Sequence, residues 1–254
     1  MLDFILIAIT ILTWNTSRMG NFEKPETNEV LRYLMQQDAD VICLQEVDLY
    51  KDARYLTLAE VKQILSRKYP YSYLDFSIYD KRHQFGTMVW SRYPLIHKQS
   101  IHYITRGNLS NRCDIVVGKD TLRLINNHLE SYSFTTEDFE DMERLEAKWR
   151  RAMPIRNQQA RMVRTEIESS PYPVIVVGDF NSVALSYTYW HISRGLHDAW
   201  NTLHPWEWGA TYEYRGIGLR IDYILTSDPI LPTACATHPF HGSDHRPVSA
   251  TLTW

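Results

Sequence analysis

The chain has 254 residues, of which 44% are hydrophobic, 13% aromatic and 22% charged. These are the proportions of a packed globular protein, and they exclude a disordered tract, a collagen-like repeat and a disulfide-stapled miniprotein. The 27 Lys+Arg residues stand against 30 Asp+Glu, a formal net charge of −3 with His neutral. That near-balance excludes a polybasic coat for nucleic acid, but not an enzyme that grips a few phosphates.

The chain opens with an apolar run from Phe4 to Leu12 that is rich in β-branched residues. Asp3 precedes it where a signal peptide would carry a basic leader, no small-residue cleavage site follows, and it is too short to span a bilayer. It continues into Thr13-Trp14-Asn15 and reads as a buried strand over 5–13. A soluble, cytoplasmic monomer without a transmembrane segment is the expectation for these residues, with a membrane-tethered parent left open.

A helix is expected over 26–37, where Val30, Leu31, Leu34 and Met35 recur at helical spacing. A strand over 40–45 follows, then a helix over 57–66 with Leu58, Val61, Ile64 and Leu65 on one face. Strand-like runs recur at 85–91, 111–117, 121–127 and 173–178, and again at 220–226 and 247–253. The longest helical stretch, 136–169, contains Pro154, which should break or kink it. Its second half carries Arg156, Arg161 and Arg164, read as a solvated face in preference to a phosphate-facing strip. Cys43, Cys113 and Cys235 lack CxxC spacing and are odd in number, so free thiols are expected, with Cys43 buried in its apolar run. Strands outnumber helices and often follow one another directly. Two mixed sheets packed face to face with helices outside would satisfy the pattern.

Six short motifs place acids, amides and imidazoles at strand ends, where loops hold functional groups on a rigid scaffold. They are Thr13-Trp14-Asn15, Leu44-Gln45-Glu46, Asn127-His128-Leu129-Glu130-Ser131, Gly178-Asp179-Phe180-Asn181, Arg220-Ile221-Asp222-Tyr223 and Ser243-Asp244-His245-Arg246-Pro247. Each alone is weak: Gly-Asp-x-Asn is usually a turn, and a lone His is more often structural than catalytic. In this order they resemble the DNase I-like endonuclease/exonuclease/phosphatase superfamily, from residue 13 to the C-terminus. The quartet of TWN, LQE, GDxN and SDH is most similar to the branch that holds tyrosyl-DNA phosphodiesterases and many bacterial hydrolases. The resemblance implies a four-layer α/β/β/α sandwich and metal-dependent cleavage of a phosphate ester. It also implies a single domain over 1–254, because any split would cut the site.

The chemistry asks for the same residue types. Phosphate-ester hydrolysis needs a cation to offset charge, an activated water, and donors to the non-bridging oxygens. Glu46 is a natural hard-oxygen ligand for Mg²⁺ (or Mn²⁺), with Asn15 helping through its carbonyl and Asp244 completing the surroundings. Asp179 is the candidate to orient or deprotonate the water, and Asn181 to donate to the phosphate. His245, held by Asp222, would stabilise the transition state as an imidazolium; the alternative makes His245 the base. His128 resembles the family's second phosphate-contacting His. Zinc is disfavoured, since the ten His are scattered without paired spacing. The run from Phe85 to Pro94 is similar to an inner strand and turn of the superfamily and is assigned to scaffold.

Substrate choice must lie in the loops. Trp190 is expected to pack, whereas Trp206 and Trp208 are candidates for substrate contact beside Pro205 and Gly209. Arg112 and the Arg215–Arg220 region are candidates to hold phosphate. The leading expectation is a phosphodiesterase acting on nucleic acid or a nucleotide-derived ester. A hydrolase of inositol phosphates or phospholipid head groups is the second enzyme reading, and a non-catalytic binding module the third. The third is opposed by a competent residue at every expected catalytic position.

Overall fold

The computed structural model describes residues 7–20, 23–132, 141–214, 216–239 and 242–254. Two six-stranded mixed sheets form its centre. In spatial order the first takes β13 (Leu231–Thr237), β14 (Val248–Thr253), β1 (Ala8–Asn15), β2 (Val41–Tyr50), β4 (His83–Ser91) and β3 (Tyr71–Tyr79). The second takes β5 (Leu95–His102), β6 (Leu109–Val117), β7 (Asp120–His128), β8 (Val174–Asp179), β12 (Asp222–Thr226) and β9 (His197–Asp198). A separate hairpin pairs β10 (Tyr212–Tyr214) with β11 (Ile217–Leu219).

The apolar runs of the inner strands explain the layering. Ile9, Ile11, Val41 and Cys43 enter a core shared with Cys113, Leu124, Ile175, Val177 and Ile224 of the other sheet. The alternate residues Leu12, Trp14, Ile42 and Leu44 face the opposite way, into a second core. There they meet Val30, Leu31 and Leu34 of α1 (Glu29–Gln36) and Val61 and Leu65 of α2 (Leu58–Leu65). Both faces of these strands are therefore covered, which is why their sequences read as continuous apolar runs. A third core joins Ile125, Val174, Val176 and Leu225 to Ala160, Val163 and Ile167 of α3 (Met142–Glu168). Ile192 of α4 (Tyr187–Ser193) and Phe180 complete it, and α5 (Ala199–Leu203) lies against β13 and β12. The result is the α/β/β/α sandwich of the DNase I-like fold.

Several expectations on the elements need correction. Of the break or kink expected at Pro154, the break is absent: α3 continues through it as one helix of 27 residues. Pro154 forfeits one backbone bond, but the helix keeps a buried stripe of Ala152, Arg156, Gln159, Ala160, Val163 and Ile167 that holds it on the sheet. Its N-terminus is capped by Asp141, whose carboxylate accepts from Glu143 and Arg144 N–H, both at 3.1 Å. The part of the expected helix at 136–140 and of the first strand at 5–6 lie outside the described residues. Cys43 and Cys113 are buried free thiols, as expected, and burial pushes Cys113 and Cys235 up to about 12. Among the described residues, no helix is long and apolar enough to cross a membrane.

Candidate active site

The strand ends meet at one rim of the sandwich. β7 runs parallel to β8, and β12 antiparallel to it, in a register that sets His128, Asp179 and Asp222 directly opposite one another. Directly paired residues on neighbouring strands project from the same face, so the ladder itself brings these three side chains together. Asp179 follows Gly178, which has φ 115° and lies so close to β7 that a Cβ would meet Asn127 O at 2.1 Å. Only glycine fits there.

From the first sheet, Asn15 ends β1 opposite Gln45. Glu46 sits in the irregularity between Leu44 and Val47 where β2 loses register with β4, and its φ is 50°. Such a bulge re-aims one side chain without ending the strand. Asn15 then bridges the sheets: its Nδ2 donates to Glu46 Oε1 at 3.1 Å and to Asp179 Oδ2 at 3.0 Å.

The turn after β8 is a closed unit. Asn181, at φ 49°, donates its backbone N–H to Asp179 Oδ1 at 2.7 Å. Its Nδ2 donates to Asp179 Oδ2 at 3.0 Å and to Leu129 O at 2.9 Å. His245 arrives on the loop before β14, its carbonyl accepting from Trp14 Nε1 at 3.0 Å. Its Nδ1 lies 2.9 Å from Asp222 Oδ2, which leaves Nε2 facing Asp179 Oδ2 at 3.9 Å. His128 Nε2 is 3.3 Å from Glu46 Oε1, and neither of its buried ring nitrogens has a hydrogen bond.

These groups perturb one another strongly. Burial would weaken His245 as a base, but the carboxylates of Asp222 and Asp179 outweigh it and hold its pKa up to about 10. Burial lifts Asp179 above the usual carboxylate range, with the charge of Asp222 adding to the effect and the imidazoles and Asn15 opposing it. Burial also raises Glu46, yet His128 and Asn15 prevail and pull it down to about 2. His128 is raised in turn, its burial outweighed by the Glu46 carboxylate beside it.

A model of the Endonuclease/Exonuclease/phosphatase family matches residues 12–245, which include five of the six motifs whole and the sixth as far as His245. The chain belongs to this family. An endonuclease/exonuclease/phosphatase from Beutenbergia cavernae DSM 12333 has a similar structure, with TM-score 0.75 and 16% identity over 96% of this chain and 71% of that one. D. rerio TDP2 complexed with single-strand DNA product is similar at TM-score 0.68 and 20% identity, covering 96% of this chain and 98% of that one. Sphingomyelinase C from Streptomyces griseocarneus is similar at TM-score 0.65 and 17% identity, over 96% and 99%. No curated protein sequence matches.

Within this family member, Glu46, His128 and Asp179 offer ligand atoms that all lie within 4.8 Å of one another, a set that could hold a metal ion. Two carboxylates suit a hard divalent cation, and the imidazole extends the fit to softer ones. Asp244 does not join this set but lines an adjoining cavity of about 420 Å³. Asn15 presents its amide N–H₂ to the carboxylates, while its Oδ1 accepts from Ser17 N at 3.1 Å. Ligation through the carbonyl would require the amide to turn over and give up the Ser17 bond.

Arg156 departs most from expectation. Arg161 stays exposed and Arg164 pairs with Glu168 at 2.8 Å, but Arg156 is only 1% exposed. Its Nη1 donates to Glu130 O at 3.0 Å and to Asn181 O, and its guanidinium lies 3.9 Å over the Tyr132 ring. Gln159, three residues on, accepts the Glu130 N–H at 2.7 Å. α3 thus grips both backbone groups of Glu130, the residue that follows His128-Leu129, and ties them to the Asn181 turn. An Arg-x-x-Gln pair on one helix face was the available signal, and composition alone could not distinguish it from a solvated stripe.

Of the candidate phosphate-holding arginines, the described ones are paired with carboxylates. Arg112 faces α3, 3.4 Å from Glu166, and Arg220 is buried against Asp198 at 2.8 Å; Arg215 lies outside the described residues. Trp190 is 57% exposed, so it does not pack into the core. Trp206 and Trp208 do not line the cavity, and Trp208 instead donates to Gly218 O at 2.6 Å.

Proposed function

We propose that this chain is a divalent-metal-dependent phosphodiesterase, one catalytic unit in which water attacks in line on a phosphate held between His128, Asn181 and His245. The observation that carries the reading is the His245–Asp222 pair at 2.9 Å facing Asp179 at 3.9 Å. A buried carboxylate and a buried imidazolium then border one small space. The raised pKa of Asp179 suits it to accept a proton from the attacking water. The imidazole of His245 keeps its proton through neutral pH, which favours donation to the developing phosphorane charge over a role as base. His128 has a buried Nδ1 without a hydrogen bond and an Nε2 in ion-pair contact with Glu46 at 3.3 Å, and Asn181 can exchange its bond to Asp179 for one to the phosphate.

Glu46 would hold the cation, Mg²⁺ or Mn²⁺, with Asn15 joining it if its amide turns over and Asp244 reaching it only from the adjoining cavity; when bound, that ion would neutralise charge on the phosphate. The similar TDP2 structure holds a single-strand DNA product, which supports a nucleic acid or nucleotide-derived diester as substrate.

Metal-stripped protein supplied with Mg²⁺, Mn²⁺ or Zn²⁺ tests this on bis-p-nitrophenyl phosphate and p-nitrophenyl phosphate. Mg²⁺ or Mn²⁺ should restore diester cleavage, and Asp179→Asn and His245→Ala should each lose about 10²–10⁴-fold. Activity restored only by Zn²⁺ would reject the metal assignment. Release of inorganic phosphate without diester cleavage would overturn the reaction class, and no turnover with any metal would leave a binding module.

A further inference from the structure

Of the candidate catalytic and metal-binding groups, Glu46, Asn181, Asp244 and His245 line the cavity of about 420 Å³. Its other walls have a different character. Ile217 and Leu219 come from β11, Ile221 from the approach to β12, and Val183 from the turn after β8. The rings of Tyr132 and Tyr212 complete the lining, and the remaining polar groups are serines. Among the described lining residues there is no Lys or Arg. A second phosphate or a carboxylate placed against this wall would lose hydration and meet no side-chain cation among the described lining residues. An apolar group would instead exchange water for aliphatic and aromatic side chains. The volume falls in the range of small-molecule sites, which are mostly apolar with a few polar groups that fix orientation.

The wall is also built to persist. Arg156 lies against Tyr132 from behind, 3.9 Å from ring centre to guanidinium carbon, so the ring is backed by a buried cation. β11 is held by its three-residue pairing with β10, and Thr211 N–H donates to Leu219 O at 2.9 Å. Ile217 is 63% exposed and carries the apolar surface out to the mouth of the cavity.

We propose that one of the two alcohols esterified to the scissile phosphate is uncharged and predominantly apolar, and that it is seated on Val183, Ile217, Leu219 and Ile221 between the rings of Tyr132 and Tyr212. The inference rests on the phosphodiesterase reading and names its substrate class. It disfavours inositol polyphosphates, whose neighbouring phosphates would enter an apolar, acid-edged space.

Calorimetric titration with methyl, butyl, hexyl and 5-carboxypentyl phosphate, in the presence of Mg²⁺, tests the pocket without needing turnover. Affinity should rise about fourfold for each methylene that enters, and the carboxyl-ended chain should bind no tighter than methyl phosphate. Leu219→Lys should reverse the order of the hexyl and carboxypentyl ligands, a ratio that is independent of any general loss in the variant. The matching alkyl p-nitrophenyl phosphodiesters should follow the same order in kcat/KM. A flat affinity series, or tighter binding of the carboxyl-ended chain by the unmodified protein, would overturn the proposal. If the binding order holds while no diester is cleaved, the pocket assignment stands and the hydrolase reading falls.

Discussion

Replacing Arg156 by alanine removes a residue that touches no expected reacting atom, so its effect measures how much the turn after β8 depends on support from α3. Arg156 Nη1 gives charged hydrogen bonds to Glu130 O at 3.0 Å and to Asn181 O. Such bonds are worth about 1.5–3 kcal/mol each, and a buried carbonyl left without its donor costs about 1–3 kcal/mol. Against this stands the relief of burying one fewer charge, since burial already depresses the Arg156 pKa. The net expectation is a loss of roughly 2–4 kcal/mol, read as a lower urea midpoint at unchanged slope.

The rate should suffer separately. Asn181 is held at φ 49°, a strained backbone for a residue with a side chain, and its amide spans Leu129 O and Asp179. A displacement on the order of 1 Å at such a group can cost about 10²-fold, so kcat should fall by about 10–10²-fold with little change in KM. Arg156→Lys keeps the cation but not the planar group that lies over the Tyr132 ring and should recover only part of the loss. A folded Arg156→Ala protein with kcat within about twofold of the unmodified one would refute the positioning argument, because a misplaced Asn181 must register in the rate.

Two further perturbations probe the polar network. In Asp222→Asn, the larger of the two carboxylate effects that outweigh burial at His245 is lost and Asp179 is left as the main group opposing it, so the imidazole should lose its proton at a pH below about 10. The alkaline limb of the pH–kcat/KM profile should move down accordingly, and superimposable profiles would exclude His245 as the donor. The same raised pKa has a sign in stability: the contribution of His245 is complete below about pH 6.5 and is lost as pH rises through about 10. Gln45 Nε2 donates to Asn126 Oδ1 at 2.6 Å, both residues fully buried. Gln45→Leu should cost about 1–3 kcal/mol, and a double-mutant cycle with Asn126→Leu should show coupling of at least about 0.5 kcal/mol; additive effects would mean the bond is incidental.

The eight strands legible in the sequence are the inner ones, β1, β2, β4, β6, β7, β8, β12 and β14. The four edges, β13, β3, β5 and β9, left no comparable signal. The physical reason shows in β5, Leu-Ile-His-Lys-Gln-Ser-Ile-His, where only Leu95 and Ile101 are buried. An edge strand needs charge and half-exposure to discourage further pairing, and so lacks the run that marks a strand covered on both faces. The site divides in the same way. Asp179, Asp222, His128 and His245 were legible through the order of the six motifs and their resemblance to the superfamily, since each acid or imidazole alone is a weak signal. Ile217, Leu219 and Tyr132 were not, because an aliphatic or aromatic residue in a loop looks the same whether it lines a cavity or packs. Arg156 was misread for a related reason: only the neighbouring helix and turn determine whether a helical arginine meets water or two carbonyls.

The site lies on a seam, and this explains the polar residues beneath it. Asn15 and Glu46 belong to one sheet, while His128, Asp179 and Asp222 belong to the other. The apolar core between the sheets is non-directional and would tolerate a small slide of one over the other. The Asn15–Asp179 bond of 3.0 Å would not. Just below, Gln45 reaches Asn126 across the gap, and Asn126 Nδ2 in turn donates to Leu44 O at 3.2 Å and Met88 O at 3.4 Å. Thr87 donates to Asn111 in the same way, from β4 to β6. Each of these bonds has a preferred length and angle, so together they fix a register that hydrophobic burial leaves free. Buried amides in such a core add little net stability over apolar replacements. Their contribution is alignment: they keep a carboxylate of one sheet and an amide of the other at hydrogen-bond distance, which is the condition for a site assembled from both.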